Sequence, residues 1–179
     1  MRGIIIQQEA AVAVVNNVTR LLDAKKVNYT AFETPVEKLG AVETAIFLNI
    51  PLETVYKTVV LTRPLSSSPT SVGKSKPILA VVPGTHRVDL KMLASALDEK
   101  KVVLPTEREA ERLTGLQAGG ISPLALINRG FTVVIEELAK AHGSIHISGG
   151  QRGLNIRLTV DDLASLTHAR FARISVPDT

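Results

Sequence analysis

Val55-Tyr56-Lys57-Thr58-Val59-Val60-Leu61 is the stretch whose reading decides the fold. β-Branched residues dominate it and neither Gly nor Pro interrupts it, which predicts a β-strand. Side chains alternate along a strand, so Val55, Lys57, Val59 and Leu61 share one face while Tyr56, Thr58 and Val60 share the other. Past Lys57 both faces are apolar, as expected of a strand covered on two sides. Lys57 sits at the mouth of that strand. There it is either a charge snorkelling from the sheet edge or the cation of a half-buried site, and this stretch leaves both readings open.

Working outward, Ile78-Leu79-Ala80-Val81-Val82 is a second continuously apolar strand and the natural partner of the first. Between them, residues 63–77 form a Ser/Pro-rich stretch expected to be a flexible loop. Within it Gly73-Lys74-Ser75 imitates the end of a phosphate-binding loop, but Ser68 stands where that motif needs its first glycine and Pro77 follows almost at once. On the N-terminal side, apolar residues at helical spacing predict a helix from Glu9 to Lys25, and residues 27–32 a short strand. Thr34-Pro35-Val36-Glu37 reads as the capped start of a second helix running through Ala45. Beyond the apolar pair, helices are expected from Asp89 to Leu97, from Thr106 to Gly115 and from Thr159 to about Leu166. Strands are expected at 101–104, 131–135, 144–147, 154–158 and 169–174. Many short strands interrupted irregularly by helices predict an α+β fold, one compact domain over residues 1–179 with a mixed, barrel-like sheet surrounded by helices.

Composition narrows the chemistry. Cysteine is absent from the chain, which excludes disulfides, thiolate metal sites and a protein thiol nucleophile. There is no Trp, with two Tyr and four Phe, so an extended base-stacking surface is not expected. A net charge of +4 is compatible with a polyanionic partner. The Ile4-Ile5-Ile6 run is broken by Gln7-Gln8-Glu9 too early for a signal peptide, and no apolar run reaches membrane-spanning length, so no membrane partner and a cytoplasmic location are expected. His142 and His146 have the spacing of a helical metal pair, but Gly143 and the strand pattern around Ile145 remove the helix, so no metal is expected. Asp161 and Asp162 fit a helix N-terminus better than an acid pair, and no serine lies in a nucleophile elbow. Two glycine-rich turns remain, Gly119-Gly120-Ile121-Ser122-Pro123-Leu124 and Ser148-Gly149-Gly150-Gln151-Arg152-Gly153. Each is either a tight turn or a set of backbone N–H groups presented to an oxygen.

These turns, together with Val55-Tyr56-Lys57-Thr58, Asp89-Leu90-Lys91, Thr114-Gly115 and Leu154, follow one another in the order and approximate spacing of the YbaK/EbsC family, which the chain resembles over nearly its whole length. The resemblance implies a fold related to the editing insertion of bacterial prolyl-tRNA synthetase. It also implies a trans-editing hydrolase that deacylates mischarged Cys-tRNA(Pro), with Cys-tRNA(Cys) as a second substrate, and no cofactor. Its partners would be the acceptor end of aminoacyl-tRNA and prolyl-tRNA synthetase. The nucleophile implied is the substrate's own thiol. The catalytic positions implied are Lys57 and Gly120. Tyr56, Thr58, Gly119, Ile121, Ser122, Pro123, Ser148, Gly149, Gly150, Arg152 and Asn155 would bind substrate. Asn155 stands where the family pattern carries Asp, so a role that needs a carboxylate is not available there. Two rivals accompany this reading: a deacylase for alanyl or seryl esters, and a non-catalytic module that binds tRNA or a synthetase.

Overall fold

The computed structural model describes residues 14–64 and 76–179. The expected helix over residues 9–13, the Ile4-Ile5-Ile6 run, the Gly73-Lys74-Ser75 sequence and residues 65–75 of the Ser/Pro loop lie outside the described residues.

The chain opens with α1 (Asn17–Ala24), β1 (Tyr29–Glu33), α2 (Ala41–Leu48) and β2 (Tyr56–Leu61). β3 (Ile78–Pro83), β4 (His86–Val88), α3 (Leu90–Ala96) and α4 (Glu107–Thr114) follow. The last third carries β5 (Thr132–Glu136), β6 (Ser144–Ser148), β7 (Leu154–Thr159), α5 (Val160–Thr167), β8 (Arg170–Ala172) and β9 (Ser175–Pro177).

β2 and β3 pair antiparallel, and β3–β5 and β5–β8 pair parallel, giving a mixed sheet in the order β2-β3-β5-β8. A second, antiparallel sheet runs β1-β7-β6, and β4 pairs with β9. An isolated parallel bridge from Val55 to His146 splices the edge of the first sheet to the edge of the second. The α+β class and the mixed sheet are as expected. The barrel-like wall curves through this splice but does not close among the described residues.

The double-faced burial expected of the apolar strands explains the layering. Tyr56, Val60, Leu79 and Val81 point into one core with Leu22, Ile147, Ile156 and Leu163. Leu61, Ile78, Ala80 and Val82 point into the other with Leu93, Val134 and Ile174. Every residue of β3 is buried, as a central strand between two apolar layers must be.

Four local expectations are corrected. α1 begins only at Asn17, because Asn16 and Thr19 form a reciprocal capping box that fixes its start. The Thr34-Pro35 pattern does not open a helix: the Thr34 N–H donates to the Gly153 carbonyl at 3.0 Å, which keeps the chain extended beside the second glycine turn. α2 starts instead at Gly40, whose carbonyl accepts from both the backbone and the hydroxyl of Thr44. Residues 101–104 supply only a bridge from Val103 to Thr62. Finally, the strand expected at 169–174 shortens to β8, and a further strand, β9, follows it. The buried carboxylate of Glu136 takes the Ile174 N–H at 2.9 Å and the Ser175 hydroxyl at 2.6 Å, which removes that N–H from any ladder.

Candidate active site

The parallel bridge between Val55 and His146 sets the geometry of the site. Two residues further along these parallel segments, Lys57 and Ser148 come to the same level. Asn155 is the cross-strand partner of Ser148, and Phe32 that of Asn155. One continuous face of the spliced sheets thus carries Lys57, Ser148 and Asn155, and it forms the floor of a cleft of about 420 Å³. That volume suits a small-molecule-sized group, such as the end of a larger substrate. Thr34 to Gly40 and the first turn of α2 make one wall, Leu104, Pro105 and α4 the other, and Ala118, Gly119 and Ile121 close one end. Lys38 and Glu107 form an ion pair that joins the two walls at the rim.

Lys57 is half-buried, and its Nζ lies 3.4 Å from the Gly84 carbonyl. Among the described residues it forms no ion pair. The reading of Lys57 as the cation of a half-buried site therefore fits the structure better than that of an edge charge. Gly84 makes this corner possible. A Cβ there would lie 2.0 Å from Ala41 Cβ, so only glycine lets α2 close onto the end of β3.

Of the residues expected to act, Lys57, Tyr56, Thr58, Gly119, Ile121, Ser148 and Asn155 line the cleft. Tyr56 and Thr58 lie on the strand face opposite Lys57, and the Tyr56 side chain packs into the first core. The Tyr56 ring packs edge-on to His142 with centroids 6.1 Å apart. Burial, reinforced by the charge of Glu136, pushes its hydroxyl up to about 12, so it stays protonated at neutral pH.

The structure does not bring Gly120, Ser122, Pro123, Gly149, Gly150 and Arg152 to the cleft surface. The Gly120 N–H is already donated to the Gln117 carbonyl at 2.8 Å. A Cβ on Gly120 would meet the backbone of Gln151 and Arg152 at 2.9 Å. Gly120 is where the two glycine turns touch, and the Arg152 side chain fastens the contact by donating Nε–H to the Ala118 carbonyl at 2.7 Å. Ser122 is fully buried, and its hydroxyl caps the short 3-10 helix Pro123–Leu126 that Pro123 opens. Gly149 and Gly150 face α1: Asn16 Nδ2 donates to the Gly149 carbonyl at 2.9 Å, and a Cβ on Gly150 would meet Val18 at 2.9 Å. The N–H groups that remain open at the end of the cleft, with no partner among the described residues, are those of Gly119 and Ile121.

Sequence reasoning missed the walls. Leu39, Gly40, Leu104 and Pro105 carry no chemical signature, and the Thr34-Pro35 signal pointed to a helix. It also set His146 aside. That residue shares the face of Ser148 and Asn155 but lies outside the cleft lining, 4% exposed, with Nδ1 2.9 Å from Asn155 Oδ1 and its ring 5.4 Å from that of Phe32. Burial pulls the imidazole below its ordinary value, aided by the Arg157 charge and opposed by the hydrogen bond to Asn155. The unfolded chain therefore takes up a proton at His146 at a higher pH than the folded one. Stability should fall as pH drops below about 6.5, by at most ~1.4 kcal/mol per pH unit from this group. Urea midpoints at pH 7.5, 6.5 and 5.5 check this: His146→Phe should show a shallower decline than the wild type, and equal slopes would contradict it.

A sequence profile described as "Aminoacyl-tRNA editing domain" matches residues 36–166, which include the cleft floor and both glycine turns. The chain belongs to this family. Within it, the editing domain is 32% identical, over 164 residues, to "Putative Cys-tRNA(Pro)/Cys-tRNA(Cys) deacylase EbsC" of Enterococcus faecalis, covering 90% of this chain and 94% of that protein. This places it with the YbaK/EbsC members. Among solved structures, the fold matches hypothetical protein APE2540 with a TM-score of 0.77 at 18% identity, covering 90% of this chain and all of the other. It also matches "a putative trans-editing enzyme for prolyl tRNA synthetase" with a TM-score of 0.72 at 21% identity, covering 91% and 99%. Editing domains cleave the ester of a mischarged tRNA, so the chain is an aminoacyl-tRNA deacylase and its substrate an aminoacyl-tRNA. Among the described residues, no helix of the editing domain is long and apolar enough to cross a membrane.

Proposed function

We propose that this editing domain acts in trans on Cys-tRNA(Pro), and also on Cys-tRNA(Cys), using the cysteinyl thiol of the substrate as nucleophile. The observation that carries this reading is the composition of the cleft. None of the four histidines lines it, and its one serine, Ser148, accepts a hydrogen bond from the Gly150 N–H at 3.2 Å instead of pairing with a base. A cleft of this kind positions and polarises. The thiol sulfur attacks the ester carbonyl carbon, and the carbon–oxygen bond to the terminal ribose breaks. The thiol proton goes to the departing hydroxyl of the tRNA, and water then opens the cyclic thioester to free cysteine. The open N–H groups of Gly119 and Ile121 face the developing oxyanion. Lys57 holds the ribose–phosphate end or orients the acyl group. The likeness to the EbsC deacylase of Enterococcus faecalis supports the cysteinyl substrate. The likeness of fold to a trans-editing enzyme of prolyl-tRNA synthetase leads us to propose that synthetase as the partner.

The test is a panel of tRNA(Pro) charged with Cys, Ala, Ser or S-methylcysteine. Cleavage is expected for the cysteinyl ester alone. Hydrolysis of the alanyl, seryl or S-methyl ester would overturn the thiol mechanism and require an activated water. Binding of all four without turnover would favour a silent binding module.

A further inference from the structure

Asn155 and His146 form a buried hydrogen-bonded pair, with the amide oxygen of Asn155 turned to the ring. Asn155 is 7% exposed and separates His146 from the cleft. An asparagine amide has one accepting oxygen and one doubly donating nitrogen. Its Oδ1 lies 2.9 Å from the His146 ring, so that oxygen is engaged and the NH2 group is the end left for the cleft. An oxygen facing Nδ1 requires the proton on Nδ1, leaving Nε2 bare in the neutral ring. The imidazole packs against the tilted Phe32 ring, and the backbone of His146 is held by the bridge to Val55.

We propose that His146 is a positioning residue. By donating Nδ1–H to Asn155, it locks the amide so that Nδ2–H donates to an oxygen of the aminoacyl-ribose end of the substrate. This deepens the deacylase reading and rests on it. It also gives the Asn at position 155 a chemical meaning. A carboxylate held by the same histidine would offer the cleft an acceptor, whereas the amide offers a donor, so this floor position selects an oxygen acceptor over an ammonium or hydroxyl donor.

Two readouts test it. In the free protein, 15N spectra of the histidine rings, assigned with His146→Phe, should show His146 as the neutral Nδ1–H tautomer at pH 7.5. An Nε2–H tautomer would overturn the proposal, whatever the activity of the enzyme. In deacylation kinetics, His146→Phe removes the donor while keeping a ring, and should raise KM about tenfold with kcat within about twofold, the signature of one lost ground-state hydrogen bond. His146→Asn, whose amide nitrogen falls near the position of Nδ1, should recover most of the wild-type KM. Asn155→Asp keeps the bond to His146 and hence the fold but reverses the polarity, and should raise KM at least as much. It remains informative if His146→Phe does not fold. A wild-type KM in Asn155→Asp, or no rescue by a folded His146→Asn, would overturn the proposal. A wild type inactive on every ester would refute the deacylase reading by itself, and the tautomer would still decide the orientation of the amide.

Discussion

Replacing Lys57 with alanine is expected to lower kcat/KM for Cys-tRNA(Pro) deacylation by about 10²–10³-fold, the range typical of removing a preorganised stabilising group from an acyl-transfer site. The melting temperature should stay within ~2 °C of the wild type, because among the described residues the ammonium is held only by its 3.4 Å approach to the Gly84 carbonyl. The size of the kinetic effect follows from where the charge sits. The stem of Lys57 is fixed in a strand between two cores, and its ammonium is held half-buried at the cleft without a carboxylate partner among the described residues. A charge that is preorganised and partly desolvated acts more strongly on an anionic group than one free in water. Lys57→Arg should recover little, since the planar fork is bulkier and donates along different directions than a compact ammonium. Deacylation rates paired with thermal melts check this. Near-normal activity in a folded Lys57→Ala would remove Lys57 from the mechanism.

Gly120→Ala should be costly for a different reason. Gly120 does not adopt a positive φ, so backbone strain is not the issue. The added Cβ would press on the backbone of Gln151 and Arg152 at 2.9 Å, and a backbone cannot swing aside as a side chain can. Overpacking of this kind costs ~1–3 kcal/mol, or roughly 2–12 °C in melting temperature for a chain of this size. Because Gly120 joins the two glycine turns, relief of the clash must move either the end of the cleft at Gly119 or the turn that leads from Ser148 into Asn155. Activity should therefore fall together with stability. Melting curves and deacylation rates of the one variant decide the matter: an unchanged melting temperature with abolished activity would return Gly120 to a direct catalytic role.

The neighbourhood of the candidate site was legible where local chemistry and local structure coincide. The alternation around Lys57 predicted a strand covered on both faces, and the structure puts Val60 in one core and Leu61 in the other. Asp89, Thr106 and Thr159 cap the three helices expected to follow them, since a cap is an interaction between near neighbours in sequence. The glycine turns were also legible as turns. Their division of labour was not. Gly119 faces the cleft and Gly120 faces another loop, although the two are adjacent and chemically identical.

The sequence by itself determined the α+β class, the central apolar strand pair, the lysine at the strand mouth and the family pattern. Each of these is written in spacings of a few residues or in motifs with fixed residue types. Tertiary structure decided everything that depends on which distant segments meet. The Gly153 carbonyl holds Thr34 extended and so turns an apparent helix start into a cleft wall. The Glu136 carboxylate cuts short the strand expected at 169–174, from 38 residues away. The splice of Val55 to His146 aligns Lys57 with Ser148, and the pairing of β6 with β7 sets His146 beside Asn155. In these cases a polar group of the backbone or a side chain takes its partner from another element, which local sequence does not specify.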